Sequence, residues 1–109
     1  MPRLAAHLGL RNLHVKRDDC TGLGLGGNKV RKLEFDLAAA REAGADVVVC
    51  GGVVQSNTAR QVAAACAKLG LECHLGIMHG RLAATEPGYD RTGNILLNRL
   101  YGAVIHDIP

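Results

Sequence analysis

The feature that most limits the fold is the run Asp46-Val47-Val48-Val49-Cys50, a short apolar stretch held between two segments of helical period. Unbroken β-branched residues, too few for a helix, describe a strand buried on both faces. Such strands belong to parallel sheets, whose crossover connections lay helices over the sheet. The rest of the chain keeps the same rhythm. Upstream, a helix is predicted from Asn28, with Val30, Leu33, Leu37 and Ala40 on one face and Gly44 at its end. Downstream, a helix over 57–69 turns Val62, Cys66 and Leu69 inward and Arg60, Ala64 and Lys68 outward, and Gly70 closes it. A strand follows at 71–78, with Leu71, Cys73, Leu75 and Ile77 on one face. A Leu-rich helix over 94–101, stopped by Gly102, leads into a last strand at 103–108. Before all of this, residues 1–9 read as an arm and Leu13–Lys16 as a brief strand. The expected fold is α/β, a parallel three- to four-stranded sheet with helical crossovers. Residues 1–44 (arm, strand and first helix) are expected to belong to an incomplete larger domain, and 45–109 to an open α/β portion. The chain stops directly after a strand, where α/β domains usually continue with a helix, so a longer protein is expected.

Composition narrows the function classes. With 109 residues, 48% hydrophobic and 21% charged, the chain suits one folded domain rather than disorder. The net charge of +3 is spread along the chain, and aromatics make up 3%. Without a basic stripe or a stacking platform, no nucleic-acid partner is expected. No apolar run approaches the ~20 residues of a membrane span, and no signal peptide opens the chain, so a cytoplasmic location is expected. Cys20, Cys50, Cys66 and Cys73 lack metal-ligand spacing, as do the five histidines, and no metal site is expected. The cysteines read as free thiols in a reducing compartment.

Two segments carry candidate chemistry. The first is the loop Asp18-Asp19-Cys20-Thr21-Gly22-Leu23-Gly24-Leu25-Gly26-Gly27, which feeds a helix beginning Asn28-Lys29-Val30-Arg31-Lys32. A glycine-rich loop entering a helix presents free backbone N–H groups and the positive end of the helix dipole, which suits an anion. Three cations in the first turn oppose that dipole, so either an anion binds there or a lysine is kept neutral, as Schiff-base chemistry needs. Lys29 projects toward the side of Leu33, and Lys32 lies about 60° away on the same side, so two amines can meet one ligand. A solvated basic helix start is the competing reading. It is not a Walker loop, and Gly22 to Gly27 matches a dinucleotide fingerprint only loosely. Asp18 and Asp19 read as turn residues rather than acids. The second segment, Gly51 to Arg60, lies beyond the carboxyl end of the valine strand, where α/β sheets bind ligands. Ser56 and Asn57 can cap the next helix, or they and the following N–H groups can hold a carboxylate. Residues 79–92 are a polar loop, either a lid or a connector.

Together the segments resemble a known family. The run from Val15 through Gly26-Gly27-Asn28-Lys29-Val30-Arg31-Lys32-Leu33-Glu34-Phe35 closely resembles D-cysteine desulfhydrases, whose wider family includes 1-aminocyclopropane-1-carboxylate (ACC) deaminases and cysteate sulfo-lyases. Gly51-Gly52-Val53-Val54-Gln55-Ser56-Asn57, with Arg60-Gln61-Val62-Ala63-Ala64, resembles the family's second motif, and Gly93-Asn94-Ile95-Leu96-Leu97-Asn98-Arg99-Leu100-Tyr101-Gly102-Ala103 its third. Pro2-Arg3-Leu4 and His7-Leu8-Gly9 resemble its opening.

The resemblance implies the small-domain sheet of tryptophan-synthase-β-like enzymes and the cofactor pyridoxal 5′-phosphate (PLP). It implies that Lys29 holds PLP covalently and moves protons, that Lys32 lies near the PLP phosphate, and that Asn57 bonds the pyridine 3′-oxygen. It implies that Ser56 contacts the substrate carboxylate or acts in catalysis, with the backbone of Ser56 to Thr58 gripping that carboxylate. The family usually has His or Gln where this chain has Thr58, which bears on substrate choice. Thr21-Gly22-Leu23 resembles the desulfhydrases more than the ACC deaminases. The first expectation is therefore conversion of D-cysteine to pyruvate, ammonia and sulfide, with ACC deaminase or cysteate sulfo-lyase as alternatives. The resemblance also implies a small amino-acid substrate, a homodimer, and a chain about three times this length that supplies the rest of the site. A reading of another class is an inactive α/β fragment that binds a partner or itself.

Overall fold

Each helix ends where the sequence supplies a stop, and the strands between them align side by side. The computed structural model describes residues 1–80 and 87–108. The order is α1 (Pro2–His7), α2 (Val30–Glu42), β1 (Val47–Val53), α3 (Asn57–Leu69), β2 (Glu72–Met78), α4 (Gly93–Leu100) and β3 (Val104–Ile108), with 3-10 turns at Asp18–Cys20 and Leu23–Leu25. The strands form one parallel sheet in the order β1-β2-β3. Cys50 pairs with Leu75, and Leu75 with Ile105. Alternation then puts Val48, Cys50, Cys73, Leu75, Ile77 and Ile105 on one face. The α/β class with three parallel strands and helical crossovers follows. Of the expected loop over 79–92, residues 81–86 lie outside the described residues.

The core lies between that face and α3. Every residue from Ala59 to Cys66 is buried. The expectation that Arg60 and Ala64 face outward is corrected: both are buried, because α3 is covered on two sides. Ala59, Val62 and Cys66 join the sheet core with Leu75, Ile77 and Ile95. On the other side lies the glycine-rich loop, where a Cβ at Gly24 would come within 2.7 Å of the Ala64 Cβ. Ala59, Ala63, Ala64 and Ala65 allow the close approach, and the buried polar Arg60 and Gln61 meet the loop through its carbonyls. From α2, Leu33 and Leu37 reach the same core. The hydrogen bond with Cys66, and then burial, push the Cys73 thiol up, and burial pushes up Cys50, against the opposing charge of Lys32.

Two further expectations are corrected. Residues 13–16 form no strand: a strand needs a neighbouring edge, and no ladder reaches them. The nearby arm is instead the short helix α1, and the Met1 ammonium donates to the Leu13 carbonyl at 3.1 Å. Among the described residues, cover over the valine strand lies on one face. Val49 is 78% exposed, and Val47, Val53, Met78, Val104 and Ile108 are also exposed, because the described helices pack on the opposite side. The shape agrees. The radius of gyration is 17.1 Å and the shortest extent 20 Å, against a radius of about 13 Å for a closed globule of this length.

Candidate active site

The glycine-rich loop is shaped by its own polar groups. Gly27 N–H donates to the Asp18 carbonyl at 2.7 Å and to Thr21 Oγ1 at 3.1 Å. Thr21 Oγ1 also lies 3.2 Å from the Asp18 carbonyl oxygen and 3.1 Å from that of Gly27, so Thr21 closes the loop on itself. Asp18 lies 3.6 Å from the Lys16 amine and 3.4 Å from the Arg31 guanidinium. Asp19 receives Arg17 at 2.6 Å, and that hydrogen-bonded cation lowers its carboxyl pKa to about 2. Both aspartates therefore serve the loop's own cations.

Arg60 and Gln61, buried in α3, tie this loop to the second segment. Lys29 N–H donates to Gln61 Oε1 at 3.0 Å, while Gln61 Nε2 donates to the carbonyls of Gly27 (3.2 Å) and Leu23 (3.4 Å). Arg60 Nη2 donates to the Gly26 carbonyl at 2.9 Å and reaches Asn57 Oδ1 at 3.4 Å. Arg60 Nε and Nη1 are buried with no partner among the described residues. The bonds to the loop span 32 or more residues of sequence and bring the backbone beside Lys29 against the first turns of α3.

The site residues sit as follows. Lys29 occupies the N-cap position of α2, one residue before the helix rather than within its first turn, and is half-buried. Unlike the amines of Lys16 and Lys32, its amine has no ion-pair partner among the described residues. Lys32 is exposed and pairs with Asp36 at 3.7 Å. Lys32 and Thr58 line the same groove of about 370 Å³ between α2, β1 and α3. A larger cavity of about 800 Å³, lined by Leu23, Val30, Leu33, Leu37 and Leu69, holds none of the predicted site residues.

Ser56 caps α3, its Oγ accepting from Ala59 N–H at 3.2 Å. The N–H groups of Asn57 and Thr58 take no partner among the described residues, as the free N–H groups of a helix start do. Ser56→Ala is expected to cost about 1 kcal/mol of stability by loss of the cap, and Ser56→Asp much less. Chemical denaturation of both variants checks this.

The donor set fits PLP. Among the described residues the Lys29 amine has no ion-pair partner and the Asn57 amide nitrogen no acceptor, while the open N–H groups and a lysine suit anionic oxygens. Periodicity gave no sign of Arg60, Gln61 or Gln55 as links. These residues stood in the sequence as part of the second motif and as long polar side chains beside Ser56-Asn57, with no sign there of what they bond.

Comparison with known proteins bears on the cofactor class. The sequence model of the pyridoxal-phosphate dependent enzyme family matches residues 1–109. The chain belongs to that family. Among relatives of this PLP-family chain, a 1-aminocyclopropane-1-carboxylate deaminase of Methylobacterium sp. (strain 4-46) is 48% identical over 105 residues, covering 94% of this chain and 31% of the relative. A protein of the same name from Burkholderia multivorans (strain ATCC 17616 / 249) is 48% identical over 111 residues, covering 100% and 32%. The crystal structure of an ACC deaminase homologue superposes with a TM-score of 0.79 at 38% identity, covering 99% of this chain and 30% of that one. The chain thus spans about a third of the length of these relatives. No helix among the described residues is long and apolar enough to cross a membrane.

Proposed function

We propose that this chain is part of a PLP-dependent deaminase that opens the ring of ACC and releases 2-oxobutanoate and ammonia. The observation that carries the reading is the juncture of the Lys29 loop with the Ser56-Asn57 turn through Gln61 and Arg60. The choice of ACC is supported by relatives of that name at 46–50% identity. It reverses the order expected from sequence, in which D-cysteine came first. That order leaned on Thr21, a residue the loop uses for its own closure and therefore a poor reporter of substrate.

When bound, PLP supplies the electron sink for bond breaking next to the substrate's amino-bearing carbon. Lys29 offers the amine that attaches the cofactor and then carries a proton to or from the substrate. Asn57 offers an amide N–H₂ to the 3′-oxygen, and Lys32 offers a cation to the phosphate. Ser56 Oγ accepts from Ala59 N–H, which leaves its hydrogen to donate to the substrate carboxylate. The free N–H groups of Asn57 and Thr58 complete that grip. Thr58 presents a shorter side chain than the family's usual His or Gln, so its contribution is through the backbone.

Incubation of the PLP-loaded full chain with ACC and, separately, with D-cysteine tests the reading. Release of 2-oxobutanoate from ACC at a higher kcat/KM than sulfide from D-cysteine is expected. Sulfide release with no 2-oxobutanoate would reject ACC and restore the desulfhydrase.

A further inference from the structure

The orientation of Asn57 is fixed from outside its own segment. The Gln55 backbone carbonyl can only accept a hydrogen bond. The Asn94 side-chain atom 2.8 Å from it is therefore the amide nitrogen, Nδ2. The same Nδ2 lies 2.9 Å from a side-chain atom of Asn57, which must then be the acceptor, Oδ1. Arg60, whose guanidinium has donors only, approaches that Oδ1 as well, at 3.4 Å. With its oxygen engaged by two donors, Asn57 has only Nδ2 to offer a ligand. Asn94 is itself clamped: its backbone N–H donates to Gln55 Oε1 at 2.8 Å, and Gln55 Nε2 donates to the carbonyls of Tyr89 (2.7 Å) and Thr92 (2.9 Å). The Gln55 side chain thus locks the start of α4 against the start of α3.

We propose that Asn94 is a positioning residue of the cofactor site. By donating to Asn57 Oδ1, it holds the Asn57 carboxamide with Nδ2 toward the ligand, which selects an acceptor oxygen and rejects a donor. The inference rests on the reading of Asn57 as a cofactor contact. A flipped amide would set Oδ1 against the 3′-oxygen of PLP, acceptor against acceptor. Asn94 does not touch the cofactor in this role; it acts through Asn57.

A double-mutant cycle on the full chain tests this, with PLP affinity, the visible absorption of bound PLP and the thermal midpoint without PLP as readouts. Asn57→Ala, Asn94→Ala and Asn94→Asp are compared, with each Asn94 change also made in the Asn57→Ala background. Each single change is expected to weaken PLP binding roughly ten-fold. Asn94→Asp places an acceptor where the donor stood, so it should disturb the PLP spectrum at least as much as Asn94→Ala. In the Asn57→Ala background, neither Asn94 change should weaken PLP further. Additive losses would overturn the proposal, since a merely structural Asn94 would act independently of Asn57. So would wild-type affinity in both Asn94 variants when Asn57→Ala is impaired, an outcome that leaves the role of Asn57 intact. Wild-type affinity and spectrum in Asn57→Ala itself would instead remove the cofactor reading of Asn57, and the proposal with it. The midpoint without PLP separates loss of fold from loss of orientation.

Discussion

Lys29→Ala is expected to abolish the visible absorption change that PLP produces on binding, and to lower turnover by at least ~10³-fold. The size follows from the two duties the proposal gives one amine, covalent attachment and proton transfer, neither of which alanine or water can assume. The fold should be little affected. The tie between residue 29 and α3 runs through the Lys29 backbone N–H to Gln61 Oε1, and alanine keeps that N–H. The thermal midpoint without PLP should therefore stay near wild type while the spectrum is lost. Lys29→Arg should fail equally, because guanidinium keeps its charge and its protons. A persistent cofactor band in Lys29→Ala, resistant to dialysis, would assign the attachment to another amine, with Lys32 the next to test.

Gly26→Ala is expected to destabilise the protein by about 3 kcal/mol or more, the largest effect on folding from a single methyl group in the site. Gly26 adopts φ 80° and ψ 170°, a conformation nearly reserved for glycine. Its Cβ would collide with the carbonyl oxygen of Asp19. That contact is backbone and cannot be relieved by a rotamer change. The Gly26 carbonyl also accepts from buried Arg60 at 2.9 Å, so any shift that relieves the collision disturbs a buried cation already short of partners. Gly22→Ala is the control. It has a similar φ of 83° but nothing within 4 Å of its Cβ, so only backbone strain of about 1 kcal/mol is expected. Chemical denaturation of both variants measures the difference. Equal losses would show that strain, not the Asp19 collision, sets the cost at Gly26.

Much of the architecture was legible along the chain because it depends on neighbours three or four residues apart. The bounds 57–69 of α3 follow from Ser56 as a cap and Gly70 as a stop. The alternating burial of β2 follows from Cys73, Leu75 and Ile77. The glycine loop, Lys29 and the Ser56-Asn57 turn were legible as motifs, and the family was legible through them, as the match over residues 1–109 shows. By contrast, Leu13–Lys16 carried the composition of a strand but found no edge to pair with, and a strand's hydrogen bonds lie outside itself.

Residue spacing was enough to set the order of strands and helices from α2 onward, the parallel class of the sheet and the residue types available for PLP chemistry. Local periodicity and turn chemistry act over a few residues and are written there directly. Only the tertiary structure decided which sides of α3 are buried, that the valine strand is covered on one face, and that Gln61 and Arg60 join the Lys29 loop to the Asn57 turn. It alone brings Asn94, 37 residues from Asn57, to donate to that side chain. Each of these depends on contact between residues distant in sequence, by packing or by hydrogen bond, which is set by where the folded core places two backbones and is not recorded in any spacing along the chain.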